Sequence, residues 1–164
     1  MPRAGRKQNA DTFELDSFLP YRLSLLSNTV SQGISASYRK RFDLSVTEWR
    51  VIAILGRYPG LTASEVMERG AMDKVAVSRA VAGLLERGLL ERRAQEDDRR
   101  RRPLQLTTGK GRPLYEEVVP KALDYERRLL ATLGQAERTA LFGLVDKLQA
   151  AASKLNRGGE VQEE

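Results

Sequence analysis

A run of four arginines, Arg99–Arg102, follows three acidic residues, Glu96, Asp97 and Asp98. Arginine suits backbone phosphates and narrow minor grooves of DNA, because its planar cation donates several hydrogen bonds into a strongly negative potential. Unpaired acidic side chains beside these arginines would repel the DNA backbone. Asp98, however, lies two residues before Arg100 and could pair with that arginine across a loop. The segment therefore suggests an anion-binding loop held in shape by an ion pair, and the alternative is a solvated charged turn.

The composition narrows the possible functions. The chain has 164 residues, of which 41% are hydrophobic, so it can bury the core of one domain. It has no Cys and no His, which excludes disulfides and thiolate metal sites and removes the commonest metal ligand and general base. An enzyme would then need facing carboxylates or an activated Ser or Lys, whereas the acids of the arginine segment are adjacent on a loop. We therefore expect no enzymatic activity, no metal and no cofactor.

The net charge is +6, with 28 basic and 22 acidic residues. A basic chain favours nucleic acid or an anionic membrane surface as its partner. No run of about 18 apolar residues could span a membrane, and the basic N-terminus has no apolar stretch behind it, as a secretory signal would. We expect a cytoplasmic protein without a membrane contact.

The first element that could position these arginines is a long helix from Asp16 to Phe42. Its apolar residues recur every three or four positions, which is the period of one helical face. Asp16 or Ser17 could cap this helix, and Pro20 would lie harmlessly in its first turn. The residues of the face are Leu19, Leu23, Leu26, Val30, Ile34, Tyr38 and Phe42.

Three shorter helices follow. The first starts near Thr47 and ends before Pro59 and Gly60. The second starts with a capping box, in which Thr62 and Glu65 bond each other's backbone N–H groups, and it ends at Gly70. The third is capped by Asp73 and stopped by Gly88. Its inward stripe consists of Val77, Val81, Leu84 and Leu85.

The apolar period then changes, which predicts a β-hairpin. Residues 89–93 and 102–107 are two short extended runs, and the charged segment joins them. Thr107 should cap a helix that runs to about Leu133, in which Pro113 and Pro120 could introduce bends. Gly134 and Gln135 break it, and a last helix follows over 136–155 with apolar residues on one face: Leu141, Leu144, Val145, Leu148, Ala152 and Leu155.

This order of elements predicts a winged helix-turn-helix. The helix after Asp73 would lie in the major groove of DNA, where exposed cations, a hydroxyl and small apolar groups can contact base edges and thymine methyls. The face opposite its inward stripe supplies such side chains: Lys74, Val75, Ser78, Arg79 and Ala82.

The hairpin is the expected wing. Its DNA-contacting residues would be Asp98, Arg99, Arg100, Arg101 and Arg102. Thr62 and Ser64 are assigned to contacts with the DNA backbone. The alternative is a basic protein that binds a membrane surface or RNA. That alternative lacks support, because no basic helix with an aromatic face and no aromatic stacking platform is visible.

The sequence resembles the MarR family of winged helix-turn-helix regulators. The similar segments are 44–55, 73–93 and 97–107, and the Asp-x-Arg of the wing, Asp98 and Arg100, stands at the family's distance from Leu106 and Thr107. The resemblance implies a mainly α fold with a small β-hairpin wing. It also implies a homodimer bound to a pseudo-palindromic DNA operator, and repression of nearby genes that a small phenolic or aromatic-acid ligand relieves.

The expected domain organisation follows these elements. Residues 1–15 form a flexible basic N-terminus, 44–107 the DNA-binding domain, 16–43 and 108–156 the dimerisation helices, and 157–164 a disordered tail. The long helices are too apolar along one stripe for a compact part of about 65 residues, so a second chain should cover them. The alternative is that these helices fold back on their own domain.

The ligand site is harder to predict from residues alone. In the family the ligand lies between the dimer helices and the DNA-binding lobe, and an arginine there could hold a carboxylate. The candidates are Arg22, Asn28, Ser31, Trp49 and Arg50. The alternatives are that the serines and Trp49 serve packing while both arginines lie at the surface, and that the regulator binds DNA constitutively without any effector.

Overall fold

The computed structural model describes residues 13–93 and 102–159, of which the side chains of 158 and 159 are not described. The described residues form helices joined by short connections, and one antiparallel hairpin. A 3₁₀ turn, Leu15–Ser17, precedes them. The elements are α1 Leu19–Ser35, α2 Arg39–Phe42, α3 Val46–Arg57, α4 Ala63–Gly70, α5 Lys74–Glu86, β1 Leu90–Arg92, β2 Leu104–Leu106, α6 Gly111–Leu130 and α7 Gln135–Gly159.

The prediction of a single helix over 16–42 is wrong. Phe18 is the N-terminal flanking residue of α1 and makes no side-chain cap, while Ser17 bonds back to the Glu14 carbonyl at 3.1 Å. At the other end the hydroxyls of Ser35 and Ser37 donate to carbonyls three residues earlier, at 2.8 and 2.7 Å. Such local bonds compete with the helical ladder. The chain therefore leaves the helix after Ser35 and resumes as the short α2.

The starts of α3, α4 and α5 depend on capping residues. Ser45 and Glu48 form a capping box at α3, so this helix starts at Val46, one residue before the predicted Thr47. The predicted capping box of Thr62 and Glu65 is present at α4. At α5 the predicted cap is also present, since the Asp73 carboxylate accepts the Ala76 N–H at 2.8 Å.

The apolar core lies in the part of the chain that contains α3, α4, α5 and the hairpin. Val51, Ile52 and Leu55 of α3, together with Val66 of α4, are completely inaccessible to solvent. From α5, the predicted residues Val77, Val81 and Leu84 join this core, and Leu85 packs at its edge. Burial of these side chains supplies most of the driving force for packing the three helices together.

The predicted hairpin is present in the described residues. Leu90 pairs with Leu106 and Arg92 with Leu104, in antiparallel register. The sequence did not indicate that a third segment joins the sheet: Leu61 bridges to Leu104, and the Leu104 N–H donates to the Leu61 carbonyl at 2.8 Å. The base of the hairpin is thus attached to the connection between α3 and α4.

Thr107 caps α6 as predicted, but the helix starts later. The Thr107 hydroxyl accepts the Gly111 N–H at 2.9 Å across a turn formed by residues 108–110. Pro113 is the third residue of the helix, in the first turn, where the helix does not need the backbone N–H that proline lacks, and Pro120 lies inside it. The helix ends at Leu130, three residues before the predicted end.

The contacts divide the chain into two units, Met1–Ala122 and Leu123–Glu164. In the second unit α7 extends to Gly159, so the predicted disordered tail from 157 is helical at its start. None of the described side chains of α7 is buried. Within the described ranges no helix is long and apolar enough to cross a membrane.

Candidate nucleic-acid interface

The face of α5 opposite the core is exposed to solvent. All five predicted base-contacting residues, Lys74, Val75, Ser78, Arg79 and Ala82, are exposed, with Val75 at 55%. The opposite face of the helix consists of Val77, Ala80, Val81 and Leu84, which are buried and fix the rotation of the helix. An exposed valine beside two cations and a hydroxyl is unusual for a purely solvated face and suits contacts with base edges.

Helix α4 precedes α5 at a sharp turn. Ala71 adopts the left-handed conformation (φ 46°) at the end of α4, one residue after the predicted stop at Gly70. Ser64 is exposed in the first turn of α4. Thr62 is only half-exposed, and its hydroxyl already donates to Glu65 Oε2 at 3.0 Å and accepts the Glu65 N–H at 3.3 Å. Ser64 is therefore the freer of the two residues assigned to the DNA backbone.

The described part of the wing stops at Arg93 and resumes at Arg102, the last arginine of the run. Asp98, Arg99, Arg100 and Arg101 lie outside the described residues, and Arg102 is exposed. The ladder continues past β1, because the Arg93 N–H donates to the Pro103 carbonyl at 2.9 Å.

Two further cations flank the wing tip. Arg92 and Arg93 are exposed at the end of β1 and were not among the predicted contacts. The sequence feature that could have identified them is their position at the end of the predicted first strand, shortly before the acidic segment. The described wing thus presents three exposed arginines even without its tip.

The guanidinium of Arg87, which was not predicted to have a role, joins three helices. Arg87, directly after α5, donates through Nη1 to the Asp43 carbonyl at 3.0 Å and through Nη2 to the Phe42 carbonyl. The same Nη1 lies 3.6 Å from Oε1 of Glu48, the capping residue of α3. These bonds fix the C-terminal end of α5 against α2 and α3. No local pattern could have revealed them, because Arg87 lies 39 to 45 positions from its partners in the sequence.

The five candidates for a ligand site are not brought into one cavity. Arg50 Nη2 donates to Ser31 Oγ at 3.1 Å, which joins α3 to α1. Arg22 instead lines a groove along α1 with Leu19, Leu23 and Leu26, and Asn28 is exposed on the same helix. Only Ser31, Trp49 and Arg50 therefore remain near each other.

Trp49 lies in an aromatic stack. Its ring centroid is 5.5 Å from that of Tyr38 and 6.5 Å from that of Tyr115. Tyr38 is almost completely buried, and this burial raises the pKa of its hydroxyl, although the nearby Arg39 and Arg50 oppose the shift. The stack packs α3 against α6, so Trp49 has a structural role whether or not a ligand reaches it.

Among the described residues no group of acidic side chains could hold a metal ion. The exposed side chains of α5 and of the described part of the wing include hydrogen-bond donors and cations. This combination suits an interface with duplex DNA.

Comparison with known proteins supports this conclusion. A sequence model of the MarR family matches residues 42–101. The chain is 31% identical over 97 residues to the HTH-type transcriptional regulator BilQ of Clostridium symbiosum, covering 59% of this chain and 67% of that protein.

Solved structures have the same fold over most of the chain. A MarR/EmrR family regulator from Acinetobacter sp. ADP1 superposes with a TM-score of 0.78 at 29% identity, covering 87% of this chain and 99% of that one. A MarR family regulator from Silicibacter pomeroyi DSS-3 gives a TM-score of 0.69 at 31% identity, covering 84% and 99%. Each of these relatives is described as a transcriptional regulator. The chain belongs to the MarR family of DNA-binding, winged helix-turn-helix transcriptional regulators.

Proposed function

We propose that the protein is a sequence-specific, dimeric repressor of nearby genes. The observation that supports this most directly is the composition of the exposed α5 face. It presents Lys74, Val75, Ser78, Arg79 and Ala82 together, while the opposite face is buried in the core. A rigid helix whose rotation is fixed by packing can hold such side chains in register with successive base pairs.

Each of these residues has a distinct proposed role. Arg79 donates two hydrogen bonds to a guanine edge, and Ser78 contacts either kind of base. Val75 and Ala82 pack against thymine methyl groups. Lys74, in the first turn of α5, binds a phosphate near the helix N-terminus.

The wing and α4 supply contacts to the DNA backbone. We propose that Arg99–Arg102 bind phosphates or the minor groove, that Asp98 orients Arg100, and that Ser64 and Thr62 contact a phosphate next to α4. The exposed Arg92 and Arg93 extend the same positive surface. Their contribution should be independent of sequence and strongly dependent on salt.

A homodimer is proposed because each unit has an uncovered apolar face. In α1, Leu19, Leu23 and Leu26 are 48%, 47% and 56% exposed. In α7, Leu144 and Leu148 are 57% and 45% exposed. Stripes of this kind along long helices are usually covered by a second copy.

The dimer can be tested on α7. Leu144→Lys places a charge in the apolar face and should convert the dimer to monomers in sedimentation equilibrium. Gln149→Lys adds the same charge at an exposed polar position of α7 and should leave the dimer intact. An unchanged mass for Leu144→Lys would contradict this use of α7.

We further propose that a small phenolic or aromatic-acid ligand releases the protein from DNA. The remaining candidates Ser31, Trp49 and Arg50 support a site beside α1 and α3, where the Arg50 cation could hold a carboxylate. The second candidate function is a constitutive regulator. It would be favoured if no aromatic acid raised the melting temperature, because a ligand that binds the folded state must stabilise it.

The test of sequence recognition uses two variants of one residue. Arg79→Ala should lose discrimination at one base position, at a cost of about 1–3 kcal/mol. Arg79→Lys keeps the charge but not the paired hydrogen bonds, so it should keep affinity for random DNA and still lose discrimination. Fluorescence anisotropy with the operator and its single-base variants measures both. An equal loss of affinity for every duplex would show that Arg79 contacts the DNA backbone and would contradict its proposed role.

A further inference from the structure

Val75 is an exposed apolar side chain in the first turn of α5. It is 55% exposed, whereas Val77 and Val81 of the same helix are buried in the core. A β-branched residue at an exposed position weakens a helix relative to alanine, and it leaves apolar surface in water. The methyl groups of Val75 therefore do not serve the core and are available to a partner.

Arg79 lies one helical turn after Val75, on the same exposed face of α5. Residues four positions apart on a helix have Cβ atoms about 5–6 Å apart, and long helical side chains lean toward the N-terminus. The stem of Arg79 can therefore extend toward Val75. Because the opposite face of α5 is buried, the two side chains have a fixed direction relative to the core.

The guanidinium of Arg79 is available for binding. Among the residues that the structure describes, it has no acidic partner, no hydrogen-bond acceptor and no aromatic ring. Arg87, just after the other end of α5, is by contrast bonded to two backbone carbonyls. A guanidinium can donate two parallel hydrogen bonds to N7 and O6 of a guanine, and its planar face stays open for stacking.

Val75 and Arg79 together fit one kind of base step. In the major groove a thymine presents its C5-methyl group, and a guanine presents two acceptors. Stacked bases of one strand are about 3.4 Å apart. The methyl group of a pyrimidine therefore lies close to the face of a guanidinium that binds the next guanine. Val75 is placed to cover the same methyl group from one helical turn away.

We propose that Val75 and Arg79 recognise the C5-methyl group of a pyrimidine that directly precedes a guanine, and that 5-methylcytosine satisfies this site as well as thymine does. This recognition rests on the proposed function of α5 and makes it depend on DNA methylation. An unmodified cytosine has no methyl group at C5, so a cytosine–guanine step binds more weakly than the methylated step. Methylation of such a step strengthens the binding of the protein.

The test compares duplexes that differ by one methyl group. The starting duplex is the one that the wild-type protein selects from random DNA, and affinity is measured by fluorescence anisotropy. Each thymine is replaced in turn by deoxyuracil. We expect one thymine–guanine step in each half-site at which uracil weakens binding about fourfold, the value of one apolar carbon removed from water. With cytosine or 5-methylcytosine at that step and guanine opposite, the methylated duplex should bind about fourfold more tightly.

Two variants of Val75 separate methyl recognition from a structural role. Val75→Ala removes the apolar surface and should reduce the fourfold ratio between thymine and uracil duplexes to about twofold or less. Val75→Ile keeps a branched apolar side chain and should preserve the ratio. A variant that only loses stability would bind both duplexes less tightly and leave their ratio unchanged.

The proposal is overturned if no thymine before a guanine responds to uracil, if cytosine and 5-methylcytosine bind equally at that step, or if Val75→Ala keeps the wild-type ratio. Failure of the proposed function gives a different result. A selected pool without any preferred sequence would contradict sequence recognition by α5 and methyl recognition with it. A preferred duplex whose binding is insensitive to each methyl group would contradict methyl recognition alone.

Discussion

The N-terminal cap of α5 allows a prediction with a worked magnitude. The Asp73 carboxylate accepts the Ala76 N–H at 2.8 Å and is exposed to solvent. Asp73→Ala removes this bond, at about 1 kcal/mol, and a negative charge at the positive end of the helix, at about 0.5 kcal/mol for an exposed site. We expect the free energy of unfolding to fall by about 1.5 kcal/mol. Asp73→Asn keeps an oxygen acceptor and should lose only about 0.5 kcal/mol.

Urea unfolding followed by circular dichroism at one fixed protein concentration measures both changes, with an unchanged m-value. DNA binding should respond in the opposite direction. Asp73→Asn removes a negative charge next to the proposed base-contacting face, so affinity for random duplex DNA should rise by about twofold to fivefold at low salt. If Asp73→Asn destabilises the protein as much as Asp73→Ala, capping by the side-chain oxygen is not its role.

Two further predictions concern the packing of α6 and the aromatic stack. A Cβ at Gly111 would lie 2.0 Å from the Leu89 carbonyl oxygen, so Gly111→Ala should lower the free energy of unfolding by about 2 kcal/mol. Gly109→Ala, with nothing within 4 Å, is the control, and equal stability of the two variants would contradict the close approach. Burial raises the pKa of Tyr38, so above about pH 10 the unfolded chain loses this proton first and the folded state loses stability as pH rises. Tyr38→Phe should therefore tolerate alkaline pH better in urea titrations, and an identical pH profile would show that Tyr38 does not contribute.

The sequence predicted those parts of the fold that local chemistry determines. The starts of α4 and α5 follow from capping side chains within three residues of the helix, and the hairpin follows from the change of apolar period at Leu89. The break in the predicted long helix after Ser35 could not be predicted, because the apolar stripe continues through Tyr38. The hydroxyls of Ser35 and Ser37 nevertheless bond back to carbonyls at the end of α1. Apolar periodicity is insensitive to such bonds.

The long-range contacts could not be predicted from the sequence. The bridge between Leu61 and Leu104 and the bonds of Arg87 to the end of α2 join residues that no spacing rule connects. For the interface, the exposure of the α5 face could be deduced because the buried stripe fixes the opposite side. The ligand residues could not, since α1 turns Arg22 toward its own apolar groove rather than toward Trp49.

The most direct test of sequence-specific recognition by α5 is selection of a preferred duplex from random DNA, followed by hydroxyl-radical footprinting on that duplex. We expect an inverted repeat whose half-site centres lie about 10 base pairs apart, with protection on one side of the helix. A selected pool without any preferred sequence, or protection of a single unrepeated half-site, would contradict it.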